Sequence, residues 1–100
     1  MNLELFENWI RTKVSHHSEV ISSITFRTEW KYRSVKPAVE VVIETYNKRT
    51  GNIIFWDTGE SDMWVFDSVS QKLENLNSII VGSTVEFDKV FEDFFIKLQA

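Results

Sequence analysis

The spacing of apolar positions predicts a helix at each end of the chain. The first apolar face comprises Phe6, Trp9, Ile10 and Val14, and the last comprises Phe87, Val90, Phe91, Phe94 and Leu98. Intervals of three and four residues place such side chains on one side of an α-helix. Asn2 is a candidate cap for the first helix, and Ser83 with Glu86 forms a capping-box pattern for the last, which is expected to run to about residue 98.

Four strands are predicted between these helices. In residues 24–32, aromatic and β-branched residues alternate strictly with polar ones, so Trp30 and Tyr32 are expected on the core side of a half-buried strand. Further strands are predicted at residues 38–46, 53–58 and 62–68. Within residues 69–82, the spacing of Leu73, Leu76, Ile79 and Ile80 fits a short helix, but residues 79–81 also fit a strand, so this segment receives no assignment.

Short connections between the strands predict an antiparallel meander. Residues 47–52 are expected to form a hairpin loop in which Gly51 supplies a positive φ, and residues 59–61 are expected to form the next turn. The predicted fold is therefore one α+β domain spanning residues 1–100. Its antiparallel meander sheet of about four strands is covered by an N-terminal and a C-terminal helix.

Composition limits where and how such a domain works. The chain is 43% apolar with eight Phe and four Trp, which is enough for a hydrophobic core. It has no Cys, which excludes disulfides and thiolate chemistry and favours a reducing, cytoplasmic location. The first residues lack the pattern of a signal peptide, and no apolar run reaches the ~18 residues of a membrane span.

The net charge of -4 is unevenly distributed. Residues 11–49 carry a net charge of +4, whereas residues 50–100 carry -6. A net acidic chain is a poor general nucleic-acid binder, and its acidic half suits a basic protein partner. Arg27, Lys31 and Arg33 form a basic stripe on the first strand, but strict alternation directs the neighbouring aromatic side chains to the other face, away from any bases bound there.

No residue pattern predicts a metal or a cofactor, and most patterns typical of enzymes are missing. His16 and His17 are adjacent on the first helix, where neighbouring side chains point about 100° apart and chelate one ion poorly. Asp57, Glu60 and Asp62 supply too few oxygens at the wrong spacing for a calcium loop. The chain also lacks a nucleophile elbow and a glycine-rich phosphate loop.

Asp57-Thr58-Gly59 supports an enzymatic alternative. Residues 57–65 resemble the active-site loop of aspartic proteases, in which two carboxylates share a proton, so a homodimer using Asp57 would be required. The predicted terminal helices and the scarcity of glycine for a flap are not typical of that class. The competing structural interpretation is that Asp57 and Gly59 close a hairpin turn.

The chain as a whole resembles the TriTu family of bacterial immunity proteins. The resemblance comprises a first helix with Phe6 and Trp9, an aromatic strand with Trp30, a valine-rich strand at 39–43, Trp56 followed by Gly59-Glu60 and Asp62, and a Phe-rich final helix. It implies a non-catalytic α+β protein that binds the C-terminal domain of a cognate polymorphic toxin. The toxin would be neutralised by stoichiometric occlusion inside the producing cell.

The expected partner-binding residues surround the acidic turn between the third and fourth strands. They are Trp56, Asp57, Glu60, Asp62, Trp64 and Asp67. Aromatic anchors supply much of the binding energy at protein interfaces, and complementary charge speeds association. A core position for both tryptophans is the alternative. A small protein–protein adaptor domain with some other partner is the third functional interpretation.

Overall fold

The chain forms two layers, a five-stranded antiparallel sheet and a layer of helices, which confirms the predicted α+β class. The structure is a computed structural model that describes residues 3–32, 35–80 and 87–100, with side chains for all of these except 77–80. The expected caps Asn2, Ser83 and Glu86 lie outside the described residues. The elements are α1 (Leu3–Ser15), β1 (Ile21–Arg27), a 3₁₀ turn (Glu29–Tyr32), β2 (Ala38–Thr45), β3 (Arg49–Trp56), β4 (Glu60–Asp67), β5 (Lys72–Ile80), α2 (Phe87–Val90) and α3 (Glu92–Gln99).

The sheet is a meander in which each strand pairs with its neighbour in sequence. The order is β1-β2-β3-β4-β5, and all four pairings are antiparallel. Strand β5 occupies most of the segment that the sequence left unassigned, so the sheet has five strands rather than about four. None of the described helices has the length and apolar character needed to cross a membrane.

The hydrophobic core lies between one face of the sheet and the helices. The sheet contributes Ile21, Val39, Val41, Ile43, Ile53, Phe55, Met63 and Val65. The helix layer contributes Leu3, Phe6, Ile10, Phe87, Phe94, Phe95, Leu98 and Phe91, which joins α2 to α3. The rings of Phe6 and Phe55 stack with centroids 4.4 Å apart, and Trp9 contacts Phe91 at 5.4 Å. The predicted apolar faces of both terminal helices are therefore confirmed.

The first strand is shorter than the alternating pattern predicts. Strand β1 ends at Arg27, and Trp30 and Tyr32 lie in the 3₁₀ turn instead of facing the core, with Tyr32 85% exposed. Lys31 reaches across to α1, where its Nζ lies 2.8 Å from Glu7 Oε1. That hydrogen bond raises the pKa of Lys31. Local alternation carries no information about this long-range ion pair.

The role expected for Gly51 is also wrong. The turn between β2 and β3 is Tyr46-Asn47-Lys48, and Lys48 adopts the positive φ of 66°. Gly51 lies inside β3, facing the helices. A Cβ atom there would stand 2.5 Å from Phe94 Cζ and 3.0 Å from Leu98 Cδ1. Glycine at this position permits the close approach of α3 to the sheet.

Candidate partner-binding face

The helices cover one side of the sheet, and the other side forms a surface that we call the open face. Successive residues of a strand point to opposite sides, so the even-numbered residues of β2, β3 and β4 lie on the open face. Its large apolar side chains are Val42, Ile54, Trp56, Trp64, Phe66 and Leu73, and its carboxylates are Glu40, Glu44, Glu60 and Asp62.

The apolar side chains of the open face are only partly shielded from solvent. Trp64 pairs with Asn52 and Phe66 with Leu73 in the strand register. Both aromatic residues are half-buried, and Leu73 is 56% exposed. Trp56 is likewise half-buried. The alternative that placed Trp56 and Trp64 in the core is wrong, because neither belongs to the cluster between sheet and helices.

A tight turn joins β3 to β4 at one end of the open face. Asp57, Thr58 and Gly59 form this turn, with the Gly59 N–H donating to the Trp56 carbonyl at 2.9 Å and Gly59 at φ 91°. The interpretation of Asp57 and Gly59 as turn residues is confirmed, although the turn begins two residues before the predicted 59–61. The Asp57 N–H donates to the Pro37 carbonyl at 2.9 Å and fixes the turn to the chain entering β2.

Beside this turn, a lysine contacts both an aromatic ring and a carboxylate. Lys36 Nζ lies 4.8 Å from the ring centroid of Trp56 and 3.4 Å from Glu60 Oε2. The other carboxylate oxygen of Glu60 accepts a hydrogen bond from Thr58 Oγ1 at 3.1 Å. The Glu60 carboxylate and the Trp56 indole therefore contact the same ammonium group.

A polar chain crosses the middle of the open face. Asn52 is only 4% exposed, and its Nδ2 donates to Glu40 Oε2 at 2.9 Å. Glu40 also pairs with Arg27 at 3.6 Å. The buried Asn52 Oδ1 has no hydrogen-bond partner among the described residues.

Asp67 is separated from the acidic turn. It is the last residue of β4, five residues from Asp62, or about 17 Å along an extended strand. Asp67 is two residues from the core residue Val65 on the same strand, so its side chain points to the helix side of the sheet. There it pairs with Arg49 at 3.5 Å. The backbone N–H groups of Val69 and then Ser70, together with Arg49, lower the pKa of the Asp67 carboxyl.

The lowered pKa makes the contribution of Asp67 to stability depend on pH. A carboxyl whose pKa is lower in the folded state than in the unfolded state stabilises the fold when the pH is above the unfolded pKa of about 3.9. This stabilisation is lost as the pH falls through the folded pKa. We expect Asp67→Asn to lower the melting temperature modestly at pH 7 and to match the parent at strongly acidic pH. Thermal melts across that range test this. The control is Glu44→Gln, because Glu44 makes no ion pair among the described residues. An equal loss of melting temperature in Glu44→Gln would show that the hydrogen bonds and ion pair of Asp67 are not the cause.

The described residues contain no group of three or more His, Asp or Glu side chains placed to hold a metal ion. His16 lies just past the end of α1, and His17 stacks on Phe95 with ring centroids 6.0 Å apart. An open groove of about 270 Å³ borders His17, and another of about 290 Å³ borders Asp67 and Arg49 on the helix side. Both lie away from the acidic turn.

The open face brings together most of the residues expected to bind a partner. Trp56, Glu60, Asp62 and Trp64 share it, and Asp57 lies in the adjoining turn, whereas Asp67 does not join them. The sequence interpretation missed the contributions of Val42, Ile54, Phe66 and Leu73. Period-two alternation could have identified the first three once their strands were assigned, but Leu73 lies on the unassigned β5.

Searches against protein-family models, curated proteins and solved structures found no significant match to this chain. The resemblance to TriTu immunity proteins therefore stays a prediction.

Proposed function

We propose that this chain is a non-catalytic immunity protein that neutralises a cognate toxin domain by covering the toxin's functional surface with its open face. The observation that carries the proposal is the set of large apolar side chains on the side of the sheet opposite the helices. An antiparallel sheet with one solvated face normally alternates apolar and polar residues. Here both faces carry aromatic or aliphatic side chains.

The arrangement of these side chains fits a protein interface. Trp64 and Phe66 are adjacent outward-facing residues of β4, and exposed Leu73 lies opposite Phe66 on β5. Aromatic residues dominate the binding energy when a partner excludes water from them. Polar and charged residues surround them, as expected for an interface rim.

The charge of the open face favours a basic partner. Among the described residues, four carboxylates lie on it, and two of them contact cations, Glu40 with Arg27 and Glu60 with Lys36. A surface that grips phosphate, such as the substrate cleft of a nuclease, is rich in Lys and Arg. Complementary charge would speed association with such a surface and disfavour acidic partners.

The dimensions of the sheet are adequate for the centre of a specific interface. Five strands about 4.8 Å apart and eight residues long at about 3.3 Å each give a projected area of about 500 Å². A standard complex buries about 800 Å² per partner. A specific complex would therefore also have to bury side-chain surface beyond this projection, for example at the adjoining turn of residues 57–59.

The decisive experiment is purification of this chain as bait from its native cells, with mass spectrometry of the bound proteins. We expect a one-to-one complex with the C-terminal domain of a large secreted protein. One equivalent of the chain should abolish that domain's activity in vitro. Capture of a partner whose activity is unaffected would refute neutralisation and favour the adaptor interpretation.

Charge reversal tests whether the open face is the interface. We expect Glu60→Lys combined with Asp62→Lys to weaken the complex by about tenfold or more, because two favourable charge contacts become repulsive. Calorimetric titration with the toxin domain measures this. The control, Glu92→Lys with Asp93→Lys, makes the same charge change on exposed positions of α3. Equal affinities for the two double variants would exclude the open face.

A further inference from the structure

The Lys36 ammonium contacts both Trp56 and Glu60, which indicates that this indole and this carboxylate can bind a cation together. The Lys36 ammonium lies 4.8 Å from the indole centroid and 3.4 Å from a Glu60 oxygen. An aromatic face next to a carboxylate is a favourable environment for a cation, since the ring quadrupole and the negative charge both attract it. The isolated chain fills this environment with its own side chain.

We propose that Trp56 and Glu60 form a cation-binding site that receives an arginine side chain of the partner in place of Lys36. The inference rests on the proposed function for its occupant. The net acidic charge of the open face supports a basic occupant. A guanidinium fits better than an ammonium, because it is planar, stacks on an indole and donates two parallel hydrogen bonds to a carboxylate.

Two features make the site ready for such an exchange. The Thr58 hydroxyl holds the Glu60 carboxylate at 3.1 Å, and the turn fixes that strand end relative to Trp56, so the site does not depend on Lys36 for its shape. The Lys36 and Glu60 side chains are 43% and 45% exposed, which makes their ion pair weak and easily displaced. Independently of the exchange, Lys36 adopts φ 53°, a backbone conformation that asparagine tolerates better than lysine.

The test uses a small probe and the whole chain. The probe is acetyl-Gly-Arg-Gly-amide, followed through the indole N–H signals in ¹⁵N-edited NMR spectra, with the Trp56 signal assigned by its loss in Trp56→Phe. We expect a saturable shift of the Trp56 signal that exceeds any shift of Trp64. We also expect Lys36→Asn to bind the probe about fivefold more tightly, because it removes the internal competitor. Asparagine tolerates the positive φ.

Matched controls separate this site from general charge attraction. Lys89→Asn removes an exposed lysine of α2 and should leave probe affinity unchanged, whereas Glu60→Gln should weaken probe binding. The same peptide with citrulline, which is uncharged, should not shift the Trp56 signal. The proposal is overturned by equal affinities of Lys36→Asn and Lys89→Asn. Equal shifts with citrulline, equal affinity for the corresponding lysine peptide, or no saturable shift in Lys36→Asn would each overturn it as well.

These outcomes are independent of the toxin experiment. Probe binding by a chain whose captured partner keeps its activity would leave the cation site in place and remove the immunity function. A toxin complex formed by a chain that does not bind the probe would retain the function and remove the cation site.

Discussion

Replacing Phe6 with alanine is expected to destabilise the fold by about 4 kcal/mol. Phe6 is fully buried, stacks on Phe55 with ring planes within 5°, and contacts Phe87 and Phe91 at centroid distances of 6.1 and 5.8 Å. Its removal therefore leaves a cavity where α1, the sheet and α2 meet. Since domains of this size are stable by only about 5–15 kcal/mol, much of the stability is lost.

Urea unfolding followed by circular dichroism measures this loss as a shift of the midpoint. Phe66→Ala is the matched control, because it makes the same truncation at a half-buried position of the open face. We expect it to cost about 1–2 kcal/mol, since less apolar surface leaves contact with protein. Equal costs for the two variants would mean that the open face is as tightly packed as the core, contrary to the fold described above.

Gly51→Ala is the second substitution with a large expected effect. The added methyl would stand 2.5 Å from the ring of Phe94, which is fully buried. Either the Phe94 ring or α3 as a whole must then move away from the methyl. Overpacking of this kind costs about 1–3 kcal/mol, and contact with a fully buried ring places Gly51→Ala toward the upper end.

A compensating substitution at Phe94 tests whether contact with this ring causes the loss of stability in Gly51→Ala. Phe94→Leu alone is destabilising because it leaves a void, but combined with Gly51→Ala it removes the contact that the methyl would make. We expect the double variant to be more stable than the sum of the single effects by about 1 kcal/mol or more, a coupling typical of residues in contact. Additive effects in urea unfolding would show that Phe94 does not oppose the methyl group.

The parts of the fold that follow from local periodicity were predictable from the sequence. Phe6 and Ile10 on one terminal helix and Phe94 and Leu98 on the other are all fully buried. Strand β2 likewise buries the residues that its alternation selects. In each case a single apolar face is enough to define both the element and the side that packs.

Long-range contacts account for the errors. Gly51 was assigned to a loop from its residue type, whereas its position is set by Phe94, more than forty residues away in sequence. Trp30 and Tyr32 continue the alternating pattern of β1, yet Lys31 pairs with Glu7 of α1 beyond the strand end. Neither contact changes the pattern of apolar and polar residues around it in the sequence, so periodicity could not reveal either contact.

The candidate site was predictable only where strand parity applies. Trp56, Asp62 and Trp64 are even-numbered residues of β3 and β4 and share the open face. Asp67 was grouped with them from its sequence proximity, although its odd position places it beside Arg49 on the helix side. The contact of Lys36 with Trp56 joins a residue of the loop before β2 to a residue of β3, and no sequence pattern predicts it.

The position of α2 and α3 in the core has a consequence for synthesis on the ribosome. The sheet is built from hairpins of consecutive strands, so its pairings can form as the chain emerges. Part of its inner face, however, is covered by Phe87, Phe91, Phe94 and Leu98, which are translated after all five strands. Until those residues leave the exit tunnel, only α1 is present to cover the inner face, and the apolar surface that α2 and α3 cover in the folded chain stays exposed. Nascent chains should therefore resist protease only after α3 has emerged, and chaperones that bind exposed apolar segments have most access just before that moment.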